Sequence, residues 1–165
     1  MRPMLLLLTA LTTALMAGFF YSWSCSVIPG LALLPNVAYL QTMQSINRAI
    51  QNPVFFAGFM GTAILLPLCV WKQWGGAGSG LLLAAAICYW IGVMGVTVFG
   101  NVPLNNMLDG AQLSATSQQR LAELRTAFEQ PWVRLNTIRT GASIAALALV
   151  LLAMLRSSQQ TSAIQ

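Results

Sequence analysis

Histidine is absent from this 165-residue chain, and charge of either sign is scarce. The missing imidazole removes the commonest ligand for haem, zinc, copper and non-haem iron. The three cysteines, Cys25, Cys69 and Cys88, lie in or beside apolar stretches without C-x-x-C spacing, and read as small packing residues. No metal site and no cofactor of the chain's own are expected. A quinone or haem lent by a partner stays open. Acidic residues number only three, Asp109, Glu123 and Glu129, all in one connecting segment.

Charged residues make up 7% of the chain, against about 25% in soluble proteins. The formal charge of +5 comes from eight basic residues scattered among loops and ends, with no run of them. Such scattered cations suit anionic lipid headgroups and topology, and nucleic acid is not an expected partner.

What the chain has is apolar length. Hydrophobic residues reach 57%, concentrated in four runs at about residues 4–28, 54–71, 80–100 and 138–155. Each is roughly 18–25 residues long, enough at about 1.5 Å per residue to cross a hydrocarbon core of about 30 Å. None contains an acidic residue, and Arg139, at the start of the fourth, is the one basic residue inside. Helices apolar all round belong in lipid. The expected class is all-α: one integral domain over residues 1–165, a four-transmembrane-helix bundle with amphipathic helical segments in the first and third connections. Arg2 followed by Leu5–Leu8 resembles a secretory leader, but the apolar run continues to Ile28 and Leu15 is too large for a cleavage site at Ala17, so an uncleaved first span is expected.

Small residues recur every fourth position in the first span (Ala10, Ala14, Gly18, Ser22, Ser26), the third (Gly80, Ala84, Cys88, Gly92) and, more weakly, the fourth, which suggests close helix packing. In the first connection, Pro29, Gly30 and Pro35 are expected to break the chain. Asn36 then caps an amphipathic helix to about Gln51, lying on the membrane surface or folded over the bundle mouth. Gly75, Gly76 and Gly78 mark a short turn that makes spans two and three antiparallel neighbours. In the third connection residues 114–130 read as an amphipathic helix capped by Ser117 or Ser114, with Pro131 opening the fourth helix. By count, Arg48, Arg120, Arg125 and Arg134 on the face of connections one and three outnumber Arg2, Lys72 and Arg156 on the other. Those connections are long, however, and a short Lys-bearing turn with basic residues near both ends suits a cytoplasmic face, so both termini are expected inside, at the plasma (inner) membrane.

Trp132, Asn136, Arg139 and Ser143 stand at i, i+4, i+7 and i+11, one face of the fourth helix. A guanidinium at membrane depth is costly unless paired or near water, so Arg139 either snorkels to the headgroups or serves an inward polar site. Thr97, Asn101 and Asn105 share a face if the third helix runs on, although Pro103 favours a break; their amides can satisfy freed backbone or bind a ligand. Asp109 is an expected partner for Arg139 or Arg134.

The run Asn101-Val102-Pro103-Leu104-Asn105 after the third span, paired with Trp132…Asn136…Arg139 at the fourth, resembles the small four-span membrane family that includes the anthrone oxygenases. Gly18-Phe19-Phe20 in the first span is similar too, and the likeness covers nearly the whole chain. It implies oxidation of a flat phenolic or anthrone-like substrate by O2. On that reading Arg139 supplies positive charge, and Asn101, Asn105 and Asn136 donate hydrogen bonds to the developing oxyanion. Trp132, Tyr39 and Trp23 stack on the rings, and Asp109 also borders the substrate, with Asp109 or Glu129 the available carboxylate bases. The competing reading is a non-enzymatic membrane subunit or lipid- or small-molecule-binding protein whose Asn/Arg cluster is structural. A transporter is disfavoured by spans without acidic residues and by small size, which a homodimer would offset.

Overall fold

The computed structural model describes residues 2–114 and 116–162, and the side chains of these except residues 2 and 160–162. Arg2, counted in the charge argument above, thus has its side chain outside the described residues. The elements are α1 (Arg2–Ser22), a π-helical segment (Trp23–Val27), α2 (Ile28–Ala32), α3 (Asn36–Ala49), α4 (Pro53–Lys72), α5 (Ser79–Tyr89), two further π-helical segments (Trp90–Gly95 and Thr97–Asn101), α6 (Val102–Asp109) and α7 (Gln118–Ser162). Among the described residues, four continuous helices are long and apolar enough to cross a membrane: Pro3–Ala32, Pro53–Lys72, Ser79–Asp109 and Gln118–Gln159. The protein is a multi-pass, all-helical membrane bundle. The first span packs on the second and fourth, and the third on the same two.

Three prolines expected to interrupt or start helices do neither, and in two cases a widened turn explains it. A proline removes one backbone donor and its ring collides with the carbonyl four residues back. Before Pro29, the Ile28 N–H instead bonds the Trp23 carbonyl five residues back. Before Pro103, the Val102 N–H bonds the Thr97 carbonyl in the same way. The extra residue in each turn makes room for the ring, so both helices run on. Pro131 lies inside α7, which is already helical from Gln118. Its buried face, Leu121, Phe128, Trp132, Asn136, Ser143, Ala146, Val150 and Ala153, continues across the proline in one helical phase. Packing holds the helix together there.

Pro67, inside α4, is compensated by a side chain. It leaves the Ala63 carbonyl without its usual donor, and the Trp90 indole N–H donates to that oxygen at 3.0 Å. Ser117 caps α7 as expected, accepting from the Arg120 N–H at 3.3 Å. Ser114 lies outside the helix, and residue 115 lies outside the described residues. Asn36 does not cap α3: Pro35 holds that position, and the Asn36 Oδ1 accepts from Arg125 at 3.2 Å. Asn52 caps α4, accepting from the Phe55 N–H at 3.0 Å.

The small-residue stripes fare unevenly. Ala14, Gly18, Ser22 and Ser26 face outward, as do Gly141 and Ala145. The first span instead buries Leu6, Thr9, Thr13, Met16, Phe20 and Trp23. Gly92 does permit close approach, because a Cβ there would overlap the Ala142 Cβ.

Two apolar cores result, one within the bundle and one at the face where connections one and three emerge. In the second, Tyr39, Leu40 and Met43 of α3 pack with Leu108, Leu121 and Phe128. The α3 helix thus folds over the bundle mouth. Arg125 fixes it there: its guanidinium donates to the Ala32 and Leu34 carbonyls at 3.0 and 2.7 Å and to Glu129 at 2.7 Å. Ala32 ends the first helix and Leu34 lies just past it, where carbonyls lack intrahelical donors.

Candidate functional site

Beneath α3 lies a cavity of about 530 Å³. That falls inside the roughly 300–1,000 Å³ range of small-molecule sites. Ile46 and Asn47 of α3, with Ile50 and Gln51 just past its end, roof it. Phe19, Phe20 and Trp23 of the first span and Phe55 and Phe59 of the second give it an aromatic wall. The third span contributes Met94, Thr97, Asn101 and Asn105, and α7 contributes Trp132, Asn136 and Arg139. The π-helical segments contribute Trp23, Met94, Thr97 and Asn101 to this wall. Because the helix runs on past Pro103, Thr97, Asn101 and Asn105 do share one face.

Polar groups in the wall hold one another in place. The Asn136 Nδ2 donates to Ser24 Oγ at 3.0 Å, and its Oδ1 accepts from Arg139 Nη2 at 2.9 Å. Ser24 Oγ lies 2.8 Å from Thr140 Oγ1. The Trp132 indole donates to Asn105 Oδ1 at 2.8 Å, and Asn101 Nδ2 reaches the Trp132 carbonyl at 3.4 Å. Asn136 and Trp132 are thereby oriented from the first and third spans.

Arg139 is the electrostatic centre. It is 7% exposed, so it does not snorkel. The chain's three carboxylates are each taken by another arginine, in the pairs Arg48–Asp109, Arg120–Glu123 and Arg125–Glu129. Arg139 rests instead over the Phe20 and Trp132 rings, 4.7 and 5.3 Å from their centroids. It has one further, long contact to Thr97 Oγ1 at 3.5 Å. Its Nε has no partner, nor have the Asn101 Oδ1 and Asn47 Nδ2. All three of these side chains line the cavity, and Asn101 and Asn47 are 1% and 7% exposed. Buried polar atoms without partners are rare in native proteins and call for an explanation. These three atoms are sealed within the wall behind the groups that face the cavity.

Of the residues singled out from sequence, Trp23, Asn101, Asn105, Trp132, Asn136 and Arg139 line this one cavity. Tyr39 and Asp109 do not. Tyr39 is buried beside Phe128 and beneath Arg125, whose guanidinium carbon stands 4.4 Å from the ring centroid. Burial, reinforced by Glu129 and opposed by Arg125, raises the Tyr39 phenol well above its usual pKa. Asp109 binds Arg48 at 2.6 Å near the surface, and neither Arg134 nor Arg139. Glu129 is likewise held by Arg125 and does not border the cavity. Asn47 and Ser24 were missed. Asn47 and Gln44 belong to the polar side of α3, yet Asn47 is buried against the cavity and Gln44 donates to the Leu108 carbonyl of the third connection at 2.8 Å, while Gln41 and Arg48 stay exposed. An asparagine one turn from Met43 was the available signal.

Among the described residues no three His, Cys, Asp or Glu side chains gather as a metal site. The cavity offers a cation, amides, the Thr97 hydroxyl and aromatic faces, a set suited to holding a ring and stabilising negative charge on its oxygen.

No curated protein and no solved structure matches the chain. The family model described as anthrone oxygenase matches residues 1–149. With nearly the whole length covered and the quoted motifs meeting at one cavity, this chain belongs to the anthrone oxygenase family.

Proposed function

We propose that the cavity binds a phenolic or anthrone-like ring compound and promotes its oxidation by O2. The observation that carries this reading is the buried Arg139 guanidinium, left without a carboxylate in an aromatic-walled cavity. An anthrone loses a ring CH2 proton to become an enolate, whose oxygen carries the charge. Arg139 stabilises that oxyanion, with Asn136 holding the guanidinium and Asn101 and Asn105 within the same wall. Trp23 and Trp132, with ring centroids 5.0 Å apart, provide the aromatic surface. No acidic side chain among the described residues borders the cavity, so the proton leaves to water and the protein acts by making it more acidic.

The overall change is anthrone plus O2 to anthraquinone plus water. The ring CH2 carbon gives up four electrons to O2, one oxygen atom stays as the new carbonyl and the other leaves as water. Both termini are read as cytoplasmic at the plasma membrane, which puts the roofed mouth on the opposite face. The test is purified protein in detergent, given anthrone under air. Quinone should form well above the protein-free rate, with one O2 consumed per quinone. Product at the protein-free rate refutes the oxidation. A binding or scaffolding role is the second reading, favoured by the hydrogen bonds through which Trp132 and Asn136 tie spans one, three and four together. It predicts ring binding without O2 uptake.

A further inference from the structure

The cavity wall is closed on one side and open on another. Phe20, Trp23, Trp132, Asn136 and Arg139, from the first and fourth spans, are all buried. The lining residues Phe56 and Met60 of the second span are 45% and 40% exposed, and Val98 and Val102 of the third are 49% and 40% exposed. These four are apolar and lie within the membrane-spanning helices. Phe56 and Met60 stand one and two turns inside the start of α4, roughly 5 and 10 Å in at about 1.5 Å per residue.

The gap has a cause in the helices. Spans two and three pack together along α4 and α5, next to their connecting turn, but α4 has no comparable packing with the π-helical segments that follow Tyr89. The two spans therefore part where the third one widens. Lipid tails, not water, meet an apolar slot at that depth.

We propose that the site is loaded from the bilayer through the slot between spans two and three, with Phe56, Met60, Val98 and Val102 as the residues that admit the ligand. This rests on the cavity being a ring-binding site, as proposed above. The ligand class follows: ring compounds that partition into lipid, carrying their polar oxygen toward Arg139 and tolerating an apolar substituent that trails into the membrane. A charged substituent at that end is excluded. The polar residues Gln51 and Asn106, also exposed at the cavity rim, mark the competing aqueous route.

The experiment uses the full chain in lipid nanodiscs with 9,10-anthraquinone, which needs no turnover, and follows quenching of tryptophan fluorescence by stopped flow. Val98→Phe and, independently, Met60→Phe narrow the slot, and Asn106→Phe narrows the aqueous rim, none adding a tryptophan to the signal. Slot variants should slow loading about tenfold or more at unchanged final occupancy, and Asn106→Phe should leave the rate as it was. Unchanged loading in both slot variants, or slowing by Asn106→Phe alone, overturns lateral entry. Oxygen uptake with anthrone is measured on the same samples. Lateral loading without uptake removes the oxidation and keeps the portal, whereas uptake with unaffected loading does the reverse.

Discussion

Replacing Arg139 with glutamine should separate catalysis from folding. Two unit charges about 4 Å apart interact by about 4 kcal/mol at an effective dielectric of about 20. A bound enolate facing Arg139 gains stabilisation of that order, or about three pKa units at 1.36 kcal/mol per unit. Arg139→Gln should therefore cut kcat/KM for anthrone oxidation by about a thousandfold. The direction in pH is fixed by the charge: a cation favours the deprotonated substrate and lowers its pKa. The acid limb of the wild-type rate profile should lie below that of the free compound, and the variant's limb should move up towards it. Folding should not suffer comparably, because the substitution removes a buried cation that has no carboxylate partner. The Asn136 Oδ1 loses its 2.9 Å donor, a smaller cost that glutamine's amide partly offsets. The assay is anthraquinone formation across pH 5–9 at matched folded yield, beside thermal unfolding in the same detergent. A variant with wild-type kcat/KM and an unmoved acid limb would refute the electrostatic reasoning.

Trp90→Phe strips the Ala63 carbonyl of its indole donor and should cost about 1 kcal/mol in denaturant unfolding. Pro67→Ala restores the backbone donor and should suppress most of that loss, so additive effects would show the indole bond to be idle. Gly92→Ala drives a methyl into Ala142 and should destabilise by about 1–3 kcal/mol, whereas Gly141→Ala meets open space and should be neutral or gain up to about 1 kcal/mol. Arg125→Ala frees two terminal carbonyls and Glu129 together, and should lower stability by about 2–3 kcal/mol and speed proteolysis around α3. Asp109→Asn breaks a solvent-facing pair worth at most about 1 kcal/mol and should leave anthrone kinetics unaltered; a large fall in kcat would reinstate Asp109 at the site.

The four spans were legible because apolar length in lipid is a one-dimensional property, and lipid demands helix wherever the run is long enough. Their ends were not. Pro29, Pro103 and Pro131 all read as boundaries, and none is one, since a hydrogen bond to the fifth residue back or a continuous buried face outweighs a local preference. The same running-on of the third helix brings Thr97, Asn101 and Asn105 to one wall. Trp132, Asn136 and Arg139 were recoverable from helical spacing alone, because a straight helix preserves phase. Tyr39 and Asp109 lie off the cavity because they belong to connections, whose path depends on partners far away in sequence. Arg125 is the chief such partner. Nothing in its own neighbourhood distinguishes it from Arg120, yet it reaches carbonyls some ninety positions earlier.

That reach has a consequence for biogenesis. Synthesis proceeds from the N-terminus, and α7 emerges after the other three described spans. It delivers Trp132, Asn136 and Arg139 to the wall and, from the same helix, the arginine that fastens the roof. A nascent chain holding only three spans has neither chamber nor cover, and leaves Ser24 and Asn101 facing acyl chains without Asn136 and Trp132. Insertion of α7 resolves those stranded groups and builds the chamber in one event.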